Sequence, residues 1–257
     1  MRHIVQFSGG VGSWAAAKRV AQQHGTDDLV LLFADTLIED EDLYRFVDEA
    51  AANIGGQFVR IADGRTPWEV FRDVRFIGNT RIDPCSRVLK RELLRQWLTD
   101  NCDPAETVCY LGIDWTEDHR MEKARDRWAP WNVEAPLCEA PFITKPQLLA
   151  ALTAEGIAPP RLYAMGFPHN NCGGFCVKAG QAQFALLLKA FPERYAEHEA
   201  QEEAMREMLG ADVSIMRDRS GGDLRPLTMR RFRERLQSGQ LGLFDQFDWG
   251  GCGCAVS

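Results

Sequence analysis

The sequence predicts an α/β fold, a doubly wound, mostly parallel sheet with a helical carboxy-terminal extension. Apolar or alternating runs at residues 4–7, 29–34 and 57–61 are separated by segments with helical spacing, which gives a βαβαβ order. The run at 29–34 is continuously apolar, as in a parallel strand that is buried on both faces. Polar residues follow it directly at Asp35 and Thr36. Ligands of open α/β sheets lie beyond the carboxyl ends of the strands, so functional residues are expected there.

The first strand leads into a glycine-rich turn with the sequence FSGGVGS at residues 7–13. Glycines let a backbone approach an anion closely, and the amino end of the following helix favours negative charge. The turn is therefore interpreted as a phosphate-binding site, although a plain strand–helix connection remains an alternative. It matches neither the GxxxxGK[ST] loop nor the GxGxxG fingerprint. Its candidate cofactor-binding residues are Ser8, Gly9, Gly10, Gly12 and Ser13.

Two further strand ends carry polar residues. Asp35 is a candidate for ligand contact or for capping the next helix. A buried strand at 107–113 contains Gly112 near its end. It is followed by Asp114, Glu117, Asp118 and His119. These carboxylates and the imidazole suit Mg²⁺ binding or acid–base chemistry, or alternatively they cap a helix and pair with nearby cations.

A predicted helix starts near Pro84 and carries Cys85, Arg87 and Lys90 in its first turns. Cations at a helix start oppose the helix dipole, so an anion is expected beside them. Arg87 and Lys90 are candidates for contacting a phosphate, and a solvated basic face is the alternative.

The chain of 257 residues has 45% hydrophobic residues, a formal net charge of −7 and eight cysteines. It contains no secretory signal pattern and no apolar run of bilayer length, so we expect a cytoplasmic protein without a membrane partner. A reducing compartment favours metal-binding or catalytic cysteines over disulfides. Cys172 and Cys176 lie in a glycine-rich C-x₃-C run that suits a metal or a cluster, with structural burial as the alternative; Cys102, Cys109 and Cys138 are assigned to packing.

The last third of the sequence predicts amphipathic helices broken near Pro192 and a strand at 213–216. An arginine-rich stretch follows at 217–235, and it either binds phosphate or forms ordinary surface ion pairs. A solvated acidic face is predicted for Glu193, Glu197, Glu199, Glu202 and Glu203. The glycine-rich tail holds Cys252 and Cys254, which provide a fourth cluster ligand or a redox pair, or are disordered. The predicted domains are a nucleotide-binding domain at 1–180 and a helical, arginine-rich extension at 181–257.

Three motifs together resemble a known family. They are SGGVGS at 8–13, CSRVLK at 85–90, and PRLYAMGF at 160–167 leading to Cys172 and Cys176. The first resembles the loop of PP-loop ATP pyrophosphatases, and the set resembles the phosphoadenosine phosphosulfate (PAPS) reductase family of adenine nucleotide α-hydrolase-like folds. The likeness covers about the first two-thirds of the chain. It implies that the loop holds nucleotide phosphates, that Asp35 and Gly112 border the nucleotide, and that Cys85, Cys172 and Cys176 bind iron.

Two departures from the reductase pattern change the expected reaction. Cys85 is followed by Ser86 instead of a second cysteine, and the tail ends in GGCGC at 250–254 before its last three residues, without the reductase's ECG-type motif. The resemblance then favours adenylation of a substrate by ATP with release of pyrophosphate, followed by sulfur transfer to a nucleic acid or nucleotide. Arg87, Lys90 and Asp114 are the catalytic candidates, and ATP, Mg²⁺ and a [4Fe–4S] cluster on Cys85, Cys172, Cys176 and Cys254 are the cofactors.

Two alternatives stay open at this point. One is reduction of PAPS or adenylylsulfate, with Cys252 or Cys254 as a nucleophile. The other is a nucleotide- or nucleic-acid-binding module with structural zinc. Besides an adenine nucleotide, the candidate partners are a nucleic-acid substrate, a sulfur or electron donor protein, and a second copy of the chain.

Overall fold

A five-stranded parallel sheet forms the centre of the molecule, as seen in a computed structural model that describes residues 1–218, 224–239 and 248–250. The strand order is β3-β2-β1-β4-β5, and every neighbouring pair is parallel. After β3 the chain crosses back to the middle of the sheet. The next strand, β4, pairs with β1 on the side opposite β2. The predicted doubly wound α/β fold is confirmed. The strands are β1 (Arg2–Gln6), β2 (Leu29–Asp35), β3 (Gln57–Ala62), β4 (Thr107–Tyr110) and β5 (Asn132–Glu134).

Helices connect the strands and form the carboxy-terminal region. The α-helices are α1 (Val11–His24), α2 (Glu41–Ile54), α3 (Pro67–Val74), α4 (Pro84–Ser86), α5 (Leu93–Asn101), α6 (Met121–Trp128), α7 (Lys145–Ala154), α8 (Arg161–Ala164), α9 (Gln181–Ala190), α10 (Pro192–Leu209) and α11 (Met229–Gln237). A π-helical segment, Arg87–Glu92, joins α4 to α5, and 3₁₀ turns occupy Pro104–Glu106, Trp115–Arg120, Pro136–Cys138 and Cys172–Gly174. A small antiparallel hairpin pairs β6 (Met216–Asp218) with β7 (Arg225–Leu227).

The two faces of the sheet are buried by different helices. Val5, Phe7 and Leu31 pack on one face against α1, α2 and α7. Ile4 and Leu32 pack on the other face against α5 and α6. Successive residues of a strand point to opposite faces, which explains the continuously apolar sequence of β2.

A third apolar cluster joins the carboxy-terminal helices to the rest of the chain. Trp68 of α3 and Phe175 pack there with Phe184, Tyr195 and Phe232 of α9, α10 and α11. The loop that carries Cys172 and Cys176 is therefore held between α3 and the helices that follow residue 180.

The acidic face predicted for α10 is wrong at Glu202. This side chain is fully buried, and its carboxylate accepts the backbone N–H groups of Ile215 at 3.0 Å and Met229 at 2.6 Å. The first amides of a helix lack intrahelical partners, so Glu202 satisfies one at the start of α11. The strand predicted at 213–216 begins only at Met216.

Several arginines of the basic stretch form ordinary pairs. Arg233 binds Glu199 of α10 at 2.8 Å, and Arg235 binds Asp218 at 2.5 Å. No helix within the described ranges is both long and apolar enough to span a bilayer.

Candidate functional site

A cleft opens at the carboxyl edge of the sheet, where β1 and β4 end side by side. We call it the edge cleft; it has about 890 Å³ of empty space and is open to solvent. Its walls combine the glycine-rich turn, the π-helical segment and the polypeptide after β4. The residues that line the edge cleft include Gln6, Ser8, Leu32, Ala34, Lys90, Arg91, Leu94, Leu111, Gly112, Ile113, Glu117, Arg120, His169 and Asn171.

The glycine-rich turn places its two serines differently. Ser8 is exposed and lines the edge cleft, whereas Ser13 is buried and donates its hydroxyl to the Gly10 carbonyl oxygen at 2.8 Å. The Gly9 carbonyl oxygen accepts the side-chain amide of Asn170 at 2.8 Å. Helix α1 begins directly after Gly10, so its first amides lie beside the turn, and the Val11 amide donates to the Tyr163 hydroxyl at 3.3 Å.

Gly12 and Gly112 bring the turn against the end of β4. A β-carbon on Gly12 would lie 3.1 Å from the Gly112 carbonyl oxygen, and one on Gly112 would lie 2.9 Å from the Ser13 amide nitrogen. Real β-carbons essentially never come within 3.0 Å of another atom, so this contact requires glycine at position 112. At position 12 a β-carbon would be closer than in nine of ten real contacts, and the atom it would meet is backbone. The sequence singled out both positions, but only the fold shows that they touch.

The cations of the π-helical segment face two directions. Lys90, whose side chain is 12% exposed, lines the edge cleft together with Arg91. Arg87 is 55% exposed on the outer surface, where it lies 3.7 Å from Glu92. The helix thus presents Lys90 and Arg91 to the cleft, although the sequence pointed to Lys90 and Arg87.

Asp35 and Asp114 bond to protein groups near the strand ends. The buried Asp35 carboxylate accepts hydrogen bonds from Arg60 at 2.5 Å, from the Tyr44 hydroxyl at 3.0 Å and from the Leu37 amide at 2.9 Å. Asp114 caps the 3₁₀ turn after β4 by accepting from the Thr116 amide at 2.8 Å. Neither residue lines the edge cleft, whereas Glu117 and Arg120, which pair at 2.5 Å, do.

The three described cysteines assigned to the metal site lie around one pocket. Cys85, Cys172 and Cys176 line one narrow hollow, here called the cysteine pocket, with Lys90, Asp83 and Lys178. Apolar walls come from Ile38, Pro67, Phe175 and Val177. Residues far apart in sequence, at the start of α4 and in the loop before α9, are thus brought together as the resemblance implied.

The cysteine pocket and the edge cleft are adjacent. Lys90 lines both, and Asn171 of the cleft directly precedes Cys172 of the pocket. Lys90 Nζ lies 3.7 Å from the carboxylate of Glu39, which is almost completely buried. Glu39 also accepts the Thr36 hydroxyl at 2.8 Å and the Cys172 amide. Burial raises the pKa of Glu39, and the nearby Lys90 opposes that rise.

Cys172 has an unusual backbone conformation. Its φ is +53°, in the left-handed region that non-glycine residues seldom adopt. The loop is supported from behind by a ring stack, in which the His198 ring lies 3.7 Å from the Phe175 ring and the Trp68 indole donates to His198 Nδ1 at 2.9 Å. Burial lowers the pKa of His198 to about 3, so this ring is neutral. The cysteine loop is therefore held in a strained shape by a packed, uncharged support.

The end of the described chain returns to the cysteine loop. Gly250 forms an isolated antiparallel bridge with Ala179, and the Ala182 amide donates to the Asp248 carbonyl oxygen at 2.9 Å. A β-carbon on Gly180 would overlap the Asp248 carbonyl oxygen, so the two segments are in close contact. Cys252 and Cys254 follow Gly250 in the sequence and lie outside the described residues.

The side chains of the cysteine pocket decide which kind of metal group it can hold. In the described part of the chain, no set of three or more Cys, His, Asp or Glu side chains forms a site for a metal ion. An iron–sulfur cluster needs a different arrangement from a single ion. Each cysteine binds a separate iron atom, so the thiolates lie farther apart around the cluster. Three cysteines around a hollow, with Lys90 and Lys178 beside them, fit an anionic cluster in the chemistry of their donors.

Several cleft residues were not found from the sequence. Gln6, Arg91 and Arg120 line the edge cleft, and Glu39 connects Lys90 to the cysteine loop. Glu39 lies four residues after the polar end of β2. Its position beyond a strand end was therefore a signal in the sequence that could have identified it as a site residue. Gln6 was visible only as a single polar residue inside an apolar strand.

No protein-family model matches the chain, and no curated protein matches its sequence significantly. Among solved structures, the chain is similar to PAPS reductase from Candida auris in a phosphate complex, at 14% identity and a TM-score of 0.43, over 65% of this chain and 79% of that one. It is also similar to a predicted subunit of tRNA methyltransferase from Methanocaldococcus jannaschii, at 13% identity and a TM-score of 0.35, over 62% of this chain and 90% of that one. The first has the name of the family that the sequence motifs resemble. Similarity at this level assigns no activity, so the function of this chain rests on its own residues.

Proposed function

We propose that this chain is an ATP-dependent enzyme of the PP-loop class that adenylates a substrate and releases pyrophosphate. The proposed acceptor is a nucleic acid or nucleotide whose adenylated oxygen then leaves with AMP as sulfur takes its place. One observation carries the proposal: a cleft beside a phosphate-type turn and a three-cysteine pocket are adjacent and share Lys90.

The turn and its helix support the nucleotide half. In this proposal, Ser8 and the amino end of α1 hold the phosphates of ATP, because a helix start carries the positive end of the helix dipole. Lys90, Arg91 and Arg120 add positive charge along the same cleft. Mg²⁺ would bind together with the phosphates of ATP and offset part of their negative charge, since hard oxygen ligands are its usual partners.

Charge stabilisation is the role assigned to the cations. When the acceptor oxygen attacks the α-phosphorus, negative charge develops on the phosphoryl oxygens and on the leaving pyrophosphate. Lys90 and Arg91 then stabilise this charge from fixed positions in a partly buried site. The contact between Lys90 and Glu39 orients the ammonium group toward the junction of cleft and pocket.

The cysteine pocket supports the sulfur half. Cys85, Cys172 and Cys176 would hold an iron–sulfur cluster, with Cys254 or Cys252 as the fourth protein ligand or with one iron left open. When bound, such a cluster would supply or hold the sulfur that is transferred. Lys90 and Lys178 would lie beside the cluster, and Phe175 and Val177 would shield it from water.

The test combines two assays on protein purified without oxygen. The first measures pyrophosphate release from ATP with candidate acceptors, and the second measures iron and sulfide content with the visible spectrum. We expect about four iron atoms per chain in the wild type. We expect Cys172→Ser to lose both the absorption near 400 nm and sulfur transfer while it retains ATP binding.

Cys138→Ser is the matched control. Cys138 is a half-buried cysteine that packs against another cluster of the core, remote in sequence from both cysteine motifs, so its replacement should leave iron content unchanged. A colourless wild type with zinc or no metal would remove the sulfur half. Failure of the wild type to bind ATP would remove the nucleotide half.

Sulfonucleotide reduction is the second candidate, because the bridge at Ala179 and Gly250 brings the segment before Cys252 and Cys254 to the cysteine loop. It is distinguished by its product. Sulfite formation from PAPS or adenylylsulfate with a thiol donor, abolished when Cys252 and Cys254 are both replaced by serine, would favour it over adenylation.

A further inference from the structure

Gln6 is the least satisfied polar side chain of the edge cleft. It is only 7% exposed, and neither its Oε1 nor its Nε2 atom has a hydrogen-bond partner among the described residues. It lies at the end of β1, paired in register with Leu32 and two residues before Ser8. Buried amides nearly always have partners, so an unpaired one needs an explanation.

Part of the cleft that Gln6 lines is apolar. Leu32, Ala34, Leu94, Leu111 and Ile113 line the same cleft. A leucine would fit this sheet face as the neighbouring Ile4 and Leu32 do. Retaining an unpaired amide costs stability, and such costs are typical of functional positions.

We propose that Gln6 reads the 6-amino edge of adenine in the ATP bound to the edge cleft. The inference rests on the proposed function and extends it to base specificity. The carboxamide offers one acceptor and one donor side by side. Adenine offers the complement, because its 6-amino group donates and the adjacent ring nitrogen accepts, which is the bidentate pairing that glutamine makes with adenine elsewhere.

The spacing fits one nucleotide. Two residues along a strand span about 7 Å, so one extended nucleotide can contact Ser8 with its phosphates and Gln6 with its base. The apolar side chains of the cleft would pack against the faces of the base, and the amide would form hydrogen bonds with its edge. Binding sites commonly combine such apolar walls with a few placed polar groups.

The test compares ATP with purine riboside triphosphate, which lacks only the 6-amino group. Binding of each is measured by calorimetry to the wild type, to Gln6→Leu and to the control Gln96→Leu, which makes the same change on the exposed side of α5. We expect the wild type and Gln96→Leu to prefer ATP by about tenfold or more. We expect Gln6→Leu to bind the two nucleotides within about twofold of each other.

A second readout does not depend on nucleotide. Because Gln6→Leu removes an unsatisfied buried amide, its melting temperature without ligand should equal or exceed that of the wild type. Gln6→Met, with an unbranched side chain of similar length, repeats both measurements if the leucine packs badly.

The outcomes separate the two proposals. Wild-type binding of ATP with no preference over the deaminated analogue, or a preference that persists in Gln6→Leu and Gln6→Met, would overturn the role of Gln6 alone. A lower melting temperature of both variants without nucleotide would mean that the amide serves the fold instead of the ligand. Absence of any nucleotide binding by the wild type would overturn both proposals.

Discussion

The backbone of Gly12 lies directly against that of Gly112, so the glycine-rich turn and the end of β4 form one rigid edge of the cleft. A β-carbon on Gly112 would lie within 3.1 Å of the backbone of Gly12 and Ser13. The neighbouring atoms are backbone, which cannot rotate away as a side chain can. The shape of the turn therefore depends on a strand that begins almost a hundred residues later in the chain.

Replacing Gly112 by alanine should displace the turn. The added methyl group would push on the Ser13 amide, so we expect nucleotide affinity to fall about tenfold and stability to fall by about 1–3 kcal/mol. Calorimetric binding and urea unfolding measure the two effects. Gly64→Ala is the control, because its β-carbon meets no atom within 4 Å and its φ of +97° costs stability alone. Equal nucleotide affinity of Gly112→Ala and the wild type would contradict the prediction.

Lys90 and Arg87 should differ in their effect on catalysis. Lys90 lines the cleft and the cysteine pocket, whereas Arg87 is mostly exposed on the outer surface. We expect Lys90→Met to slow pyrophosphate release about a hundredfold and Arg87→Met to change it less than about threefold. Single-turnover assays with saturating ATP measure both rates. An equal loss of rate in the two variants would mean that lining the cleft does not decide which cation contributes to catalysis.

The contact between the tail and the cysteine loop is predicted to depend on Gly180. Its replacement by alanine places a methyl group on the Asp248 carbonyl oxygen, so the hydrogen bond from the Ala182 amide should break. Hydrogen exchange measures this directly, and we expect protection at Ala182 to be lost.

The matched control is Gly210→Ala, at the end of α10. Its φ is +59° and no atom lies within 4 Å of its β-carbon, so the substitution strains the backbone without touching the tail. Protection at Ala182 that survives in Gly180→Ala would show that this amide is held by something other than Asp248.

The buried Glu202 should make stability depend on pH. Burial raises the pKa of this carboxyl from 4.5 to about 7, although two backbone amides oppose the rise. The folded state therefore holds the proton more tightly than the unfolded state. The stability from this group is complete below about pH 4.5 and is lost as the pH rises through 7, by at most about 3 kcal/mol.

Urea unfolding at several pH values between 5 and 8 tests this dependence. Glu202→Gln cannot ionise, so its stability should change less with pH over that range than that of the wild type. Equal pH slopes for the two proteins would contradict the raised pKa. The comparison is needed because other groups of the chain titrate in the same range.

The sequence identified the parts of the site that depend on local pattern. The strand periods, the FSGGVGS turn and the end of the strand at 107–113 predicted the sheet, the anion-type turn and the position of Gly112. Cys85, Cys172 and Cys176 were grouped by resemblance, and they do line one pocket. Their roles as iron ligands stay a prediction, as do the domain boundary at 180 and the role of Cys254, which lies outside the described residues.

The sequence alone determined the first strands of the central sheet and the glycine-rich turn, because apolar periodicity and glycine placement act over a few residues. Tertiary structure decided which side chains face the site. It turned Arg87 outward and Arg91 inward on a π-helical segment, bonded Asp35 to Arg60, and buried Glu202 under α11. These outcomes depend on contacts between residues that are distant in the chain, and a local pattern contains no information about distant partners. Gln6 is the clearest case, because only the packed sheet shows that its amide has no partner among the described residues and lines the cleft.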